Sequence, residues 1–251
     1  MDYTQSVTEK TGDQASDNAP VLVLENVHTY VGSFHILQGV GLAVRRKHIT
    51  VLLGRNGAGK TTTVRTIMGL APRCTGSIRL AGREIRGLAP DEIARRGVAY
   101  VPEDAGIFPH LTVAEHLMLV SGSKGGARSG VVEEVMELFP DLKQAWRKRG
   151  GALSGGQRQM LAVARAYAMG AGLLVIDEPS KGLAPVMVER LMDSLVRFKN
   201  YGSVLLVEQN FSMASRISDD FYLIDHGTTI SHGPMAALVG DRELQHRYLG
   251  I

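Results

Sequence analysis

Residues 49–62, "ITVLLGRNGAGKTT", constrain this chain more than any other stretch. A run of apolar, strand-forming residues leads into Gly54-x-x-x-x-Gly59-Lys60-Thr61, and a helical pattern follows. Small residues let the backbone N–H groups of Gly54, Arg55, Asn56, Gly57, Ala58 and Gly59 curl around a phosphate, which also meets the positive end of the next helix. Lys60 is placed to reach the β- and γ-phosphates and the Thr61 hydroxyl to ligate Mg²⁺, with Thr62 completing the nucleotide-binding stretch. Such a strand–loop–helix belongs at the carboxyl end of a strand in an α/β fold.

A second signal, "GLLVIDEP", delivers Asp177 and Glu178 at the end of four apolar residues, which form a buried strand. Beside a phosphate loop, Asp177 suits a water-mediated contact to Mg²⁺, and Glu178 suits the orientation or deprotonation of the water attacking the γ-phosphate. Apolar runs at 21–25, 36–44, 49–53, 97–101, 173–176, 203–207 and 221–225 suggest buried parallel strands. "GSIRLAGREI" at 76–85 predicts a hairpin around Ala-Gly. Between about 105 and 170 the strand signal disappears. "LTVAEHLML" opens with Thr112 and Glu115 at capping-box spacing, and "VVEEVMELF" is closed by Pro140. The expected layout is an all-helical insertion in an α/β core.

Composition narrows the class. The first twenty residues carry a net charge of −3 and the remainder +6, so the body suits phosphate-bearing ligands or an anionic surface. That polar start reads as a disordered tail, leaving one domain over 21–251, with a low-complexity glycine-serine loop at 121–130. The single cysteine, Cys74, allows no internal disulfide. The apolar runs are too short to span a bilayer, so any membrane role is peripheral. The clusters "RRK" at 45–47 and "RKR" at 147–149 read as solvated turns, and His110, His116, His226 and His232 as surface or capping residues.

"LSGGQRQML" poses a different problem. Ser154 and Gln157 have capping-box spacing, but Gly155 and Gly156 weaken a first helical turn. Bare N–H groups at a helix start suit an oxyanion. This second half-site lacks a cation and a metal ligand, so it is expected to complete a nucleotide site on another subunit.

"GRNGAGKTT", "LSGGQRQMLAVARA" and "LLVIDEP", in this order and spacing, resemble the ATP-binding cassette subunits of transporters from about residue 22 to the C-terminus. The resemblance implies an α/β P-loop NTPase fold with a RecA-like parallel-sheet core, a small antiparallel β subdomain and an inserted helical subdomain at about 105–170. It implies a Mg²⁺-dependent ATPase in which two cassettes pack head to tail. Ser154, Gly155, Gly156 and Gln157 of one would then close over the ATP of the other. It further implies a cytoplasmic subunit, peripheral on the inner face of the plasma membrane. Its partners would be a second cassette, two polytopic permease subunits and, through the complex, an extracytoplasmic solute-binding protein, with no nucleic acid.

"YVPEDAGIFPHLTVAEHL", "DEPSKGLAP", "LLVEQN" and "RYLGI" resemble the smaller cassette of branched-chain (hydrophobic) amino-acid importers. That branch usually pairs two different cassettes. Several positions depart from the wider family. Glu103 stands where most cassettes have a metal- or water-contacting glutamine, and Gln209 where most have a γ-phosphate-sensing histidine. Ala184 stands where most have an interfacial aspartate, with Lys181 in the middle of that loop. The aromatic that stacks on adenine is replaced by Val31, with Tyr30 one residue early. Three alternatives remain open: an importer cassette for urea or short amides, a soluble cassette such as an iron–sulfur assembly partner, and a nucleotide-dependent regulatory binder.

Overall fold

The computed structural model of the chain describes residues 19–71, 73–121 and 130–251. The acidic tail and the glycine-serine loop therefore lie, almost entirely, outside the described residues. Strands β1 (Pro20–Val31) and β2 (Phe34–Arg45) are antiparallel neighbours, and β4 (Arg73–Leu80) pairs antiparallel with β1 on its other side. Arg83–Glu84, β5, closes this sheet in the order β2-β1-β4-β5.

The runs at 21–25 and 36–44 are thus not parallel strands, contrary to the sequence expectation. A link of two residues, Gly32 and Ser33, joins β1 to β2, and so short a link permits only antiparallel pairing. The hairpin at 76–85 does form: Ala81 and Gly82 both have positive φ, as a type I′ turn requires.

The other five runs lie in one sheet of order β10-β9-β3-β8-β7-β6. Its strands are β3 (Ile49–Leu53), β6 (Val98–Val101), β7 (Leu173–Asp177), β8 (Ser203–Glu208), β9 (Asp220–Asp225) and β10 (Thr228–Pro234). All neighbours are parallel except β9 with β10, an edge strand that no apolar run announced. Ile49, Val51 and Leu53 face one apolar core, while Leu52 faces the other. Residues 173–176 and 204–207 alternate between the cores in the same way, so both sheet faces are covered and the runs are apolar throughout. Each fully buried aliphatic side chain contributes roughly 1.5–3 kcal/mol.

Helix α1 (Lys60–Ile67) leaves β3, and α2 (Pro90–Arg95) precedes β6. Between β6 and β7 come α3 (Val113–Ser121), α4 (Val131–Leu138), α5 (Pro140–Gln144) and α6 (Gly155–Ala168). Thr112 and Glu115 form the expected capping box: Glu115 Oε2 accepts from the Thr112 N–H at 2.7 Å, and Thr112 Oγ1 accepts from the Glu115 N–H at 3.2 Å. Pro140 both follows the end of α4 and opens α5, because proline fits the first turn of a helix but not its interior. Trp146 packs against the core of this helical segment.

Two further expectations change. His116 is fully buried rather than at the surface. Its Nδ1 donates to the Thr112 carbonyl at 2.7 Å and its Nε2 accepts from the Phe108 N–H at 3.0 Å, which requires the neutral ring with its proton on Nδ1; burial lowers its pKa accordingly. Arg45, in the cluster read as a solvated turn, donates through Nε to Asp220 Oδ2 at 3.0 Å. With His48 at 2.8 Å it clamps β2 to β9. Helices α7 (Pro185–Lys199), α8 (Phe211–Ile217), α9 (Met235–Gly240) and α10 (Arg242–Leu249) complete the chain. Among the described residues, no helix is long and apolar enough to cross a membrane.

Candidate active site

The strand order places β3, β8 and β7 side by side and parallel, so the loops that follow them meet at the carboxyl end of the sheet. The loop after β3 folds as its composition dictates. A Cβ on Gly54 would lie 2.3 Å from the Ile224 carbonyl oxygen, and one on Gly59 2.9 Å from Leu37 Cδ2. Gly59 adopts φ 109° as the N-cap of α1. Arg55, Asn56 and Gly57 are exposed, whereas Ala58 and Lys60 are buried. The Lys60 ammonium donates to the carbonyls of Gly54 at 2.9 Å and Arg55 at 3.2 Å and lies 3.6 Å from Glu178 Oε1. Burial lowers its pKa, against the opposing charges of Glu178, Asp177 and Glu208.

Asp177 and Glu178 are both buried at the end of β7. Burial raises the Asp177 carboxyl, and a hydrogen bond from Thr61 only partly offsets this. Its Oδ1 is enclosed without a partner. A threonine hydroxyl beside an unsatisfied carboxylate oxygen is a hard-oxygen donor set, and it fits Mg²⁺. A charge held there at a cost to folding implies a trade-off. Asp177→Asn is expected to raise the thermal unfolding midpoint of the nucleotide-free protein by a few degrees while abolishing Mg²⁺-dependent hydrolysis. Paired melting and turnover assays check both halves.

Glu178 has φ 44°, a left-handed conformation that costs a non-glycine residue roughly 1–2 kcal/mol. Its N–H donates to the Val207 carbonyl at 2.9 Å, which fixes the turn. Its Oε1 accepts from the Gln209 side-chain amide. Glu208, which sequence reasoning passed over, organises the neighbouring loops. Its buried carboxylate accepts the backbone N–H groups of Ser180 and Gln209 at 3.0 Å and of Asn210 at 3.1 Å. The signal for it was an acid ending the apolar run "VLLVE", where a solvated strand end was the ordinary reading. Asn56, Glu178, Ser180, Lys181, Glu208, Gln209 and Asn210 together line a cavity of about 300 Å³.

Glu103 is not joined to Thr61 or Asp177. Its carboxylate pairs with Lys181 at 2.8 Å, although its charge helps to raise Asp177. Tyr30 stacks on His35, ring centroids 4.3 Å apart, with Arg73 over its face. Thr29, one residue earlier, bonds Thr66 of α1, so alternation turns Tyr30 away from the phosphate loop. Val31 and its cross-strand partner Phe34, 53% and 72% exposed, lie on the face toward α1. Phe34 went unnoticed because only the register shows which face it shares.

Ser154 caps α6 as its spacing suggests: Ser154 Oγ accepts from the Gln157 N–H at 3.2 Å and the Ser154 N–H donates to Gln157 Oε1 at 3.1 Å. The glycines have an intramolecular reason that the sequence did not disclose. A Cβ on Gly156 would come 2.2 Å from Met187 Cε, and one on Gly155 3.1 Å from Leu183 Cδ2. Ala184 is the N-cap of α7 and makes no side-chain cap. None of Ser154, Gly155, Gly156 or Gln157 lines the cavity beside Glu178.

A parallel sheet presenting a glycine-rich phosphate loop, a strand-end acid pair and a capped glycine-start helix defines an ATP-hydrolysing P-loop cassette. The chain belongs to the ABC transporter family, whose family model matches residues 37–181, more than half of it. It is 37% identical to the high-affinity branched-chain amino acid transport ATP-binding protein BraG of Pseudomonas aeruginosa, over 92% of this chain and 100% of that protein. It is 32% identical to the lipopolysaccharide export system ATP-binding protein LptB of Haemophilus influenzae, over 92% of this chain and 97% of that one. A crystal structure of a nucleotide-free ATP-binding cassette from an ABC transporter shares the fold, with a TM-score of 0.80 at 23% identity over 93% of this chain and 99% of that one.

Proposed function

We propose that the chain is the ATPase subunit of an importer for branched-chain or other hydrophobic amino acids, working as a dimer of cassettes beneath two polytopic permease subunits. The similarity to LptB speaks for the family and not for the direction of transport. Import of amino acids is favoured by the higher identity to BraG across that protein's whole length. The "PED", "GLAP", "VEQN" and terminal "RYLGI" segments point to the same branch. The second cassette would be a related, non-identical chain, and a solute-binding protein would deliver substrate on the far side of the membrane.

One observation carries the mechanism: none of the signature residues Ser154–Gln157 lines the cavity beside their own chain's Glu178. Gly54–Thr62 would hold the triphosphate, with Lys60 turning from the loop carbonyls to the β- and γ-phosphates. Val31 and Phe34 would cover the base. Thr61 and Asp177 would hold Mg²⁺, which would offset the negative charge of the phosphate oxygens. Glu178 would orient the attacking water, with Gln209 fixing its carboxylate. A second cassette's Ser154–Gly156 would then close the site, and the free energy of that closure would shift the permease between its conformations. Hydrolysis removes the bridging phosphate and reopens the pair.

The test is purification of the tagged chain from membranes, followed by solute uptake. Co-purification of polytopic subunits, with leucine uptake lost in Glu178→Gln cells, is the expected result. Loss of urea uptake alone would move the substrate to the amide branch, and recovery with iron–sulfur assembly proteins would end the transport reading. Because Gln209 cannot titrate, hydrolysis is expected to show no activity step near pH 6.5 that Gln209→Ala removes.

A further inference from the structure

The loop between β7 and α7 carries a charge that the mechanism above does not use. Lys181 Nζ lies 2.8 Å from Glu103 Oε1 and 3.8 Å from Glu178 Oε2, so one ammonium bridges two carboxylates from different parts of the chain. Glu103 is anchored a second time, by its backbone. Gln159 of α6, itself buried, donates its side-chain amide to the Glu103 carbonyl at 3.0 Å. The same α6 begins with the glycine pair, which packs against Leu183 and Met187 on either side of Ala184. Two connections therefore run between the start of α6 and the Lys181 loop. One passes through the Gly155 and Gly156 contacts, the other through Gln159, Glu103 and Lys181.

Charge balance gives Lys181 its role. Asp177, Glu178, Glu208 and Glu103 crowd one side of the site, and among the described residues the cations paired with Glu178 are Lys60 and Lys181. On the reading proposed above, Lys60 turns to the phosphates when ATP binds. Lys181 is then the cation left beside Glu178, and the ion pair with Glu103 sets where it stands. The negative charge of Glu103 is matched by the positive charge of Lys181 within this one ion pair.

We propose that Lys181 is a positioning residue for hydrolysis: by bridging Glu103 and Glu178 it holds the water-orienting carboxylate and couples its placement to the helix that begins with Ser154. The inference rests on the assignment of Glu178 as the water-orienting group. The ion pair is open to solvent, with the Lys181 and Glu103 side chains 60% and 55% exposed, so it contributes little to folding. Its effect belongs on turnover.

The experiment measures steady-state Mg²⁺-ATP hydrolysis by the complex that co-purifies with the full chain, carrying the wild-type chain or Lys181→Ala, Lys181→Arg, Glu103→Gln or the Lys181→Ala/Glu103→Gln pair, with thermal melts of each variant chain. Lys181→Ala is expected to lower kcat roughly tenfold with KM for ATP changed less than about twofold, which is the signature of a contact that matters after binding. Lys181→Arg should recover at least about half of the rate, and all melts should coincide with the wild type. In the Glu103→Gln background the same lysine change should cost only about twofold, because residues acting through one another are not additive. An unchanged kcat, a rise in KM in place of the fall in kcat, an arginine variant as slow as alanine, or multiplying losses would each overturn the proposal. Glu178→Gln in the same assay separates the two levels. If it hydrolyses normally, the assignment beneath the proposal fails; if it is inactive while Lys181→Ala is normal, only the role of Lys181 fails.

Discussion

Lys60→Ala is expected to weaken ATP binding by about 2–5 kcal/mol, which is roughly 30- to 5,000-fold in Kd, and to leave no measurable hydrolysis. The size of the effect follows from where the ammonium sits. Lys60 is 4% exposed, lies between two loop carbonyls and Glu178, and is pressed toward its neutral form by burial. A cation already stripped of water interacts strongly with an arriving triphosphate, because the desolvation has been met during folding. The same reasoning predicts a small effect on the nucleotide-free fold. Alanine gives up two hydrogen bonds but also removes a poorly solvated charge, so the two changes oppose one another. Equilibrium binding of a fluorescent ATP analogue, with a thermal melt as control, measures both. Affinity within threefold of the wild type would contradict this account of the loop.

Glu178→Gln is expected to lower kcat by about 10²–10⁴-fold while leaving ATP affinity within a few-fold of the wild type. The substitution keeps the shape of the side chain, and its amide oxygen can still accept the Gln209 hydrogen bond that Glu178 Oε1 accepts here. What it removes is the negative charge that orients the water and takes its proton. The variant should therefore bind and fail to turn over, accumulating the ATP-bound closed pair. Single-turnover hydrolysis beside equilibrium binding separates these outcomes. Parallel loss of binding would assign Glu178 to holding nucleotide instead.

Much of this site was legible in the sequence because its parts are local. Ile49–Thr61 is one strand with the loop and helix start that follow it, Leu173–Glu178 is one strand and the turn after it, and period and turn chemistry suffice to place them. The capping boxes at Thr112 and Ser154 were legible for the same reason. What stayed hidden depends on partners distant in the chain. The runs at 21–25 and 36–44 look as apolar as β3, and only the two-residue link separates an antiparallel pair from parallel neighbours. Gly156 was readable as a bare helix start, but Met187, more than thirty residues on, sets the space available to it. Arg45 and His116 took ordinary surface readings until Asp220 and the Phe108 N–H came within reach. Tyr30 and Phe34 differ in their faces, which the irregular register between β1 and β2 decides.

The central claim is that two cassettes share each nucleotide, and the most direct measurement is the structure of Glu178→Gln within its complex, trapped with Mg²⁺-ATP. The account predicts a closed pair in which the Ser154 hydroxyl and the Gly156 N–H contact the γ-phosphate held by the other subunit's Lys60 loop. A nucleotide-loaded complex with Ser154–Gly156 facing solvent, or a single cassette that encloses ATP and hydrolyses it at a rate independent of protein concentration, would contradict it.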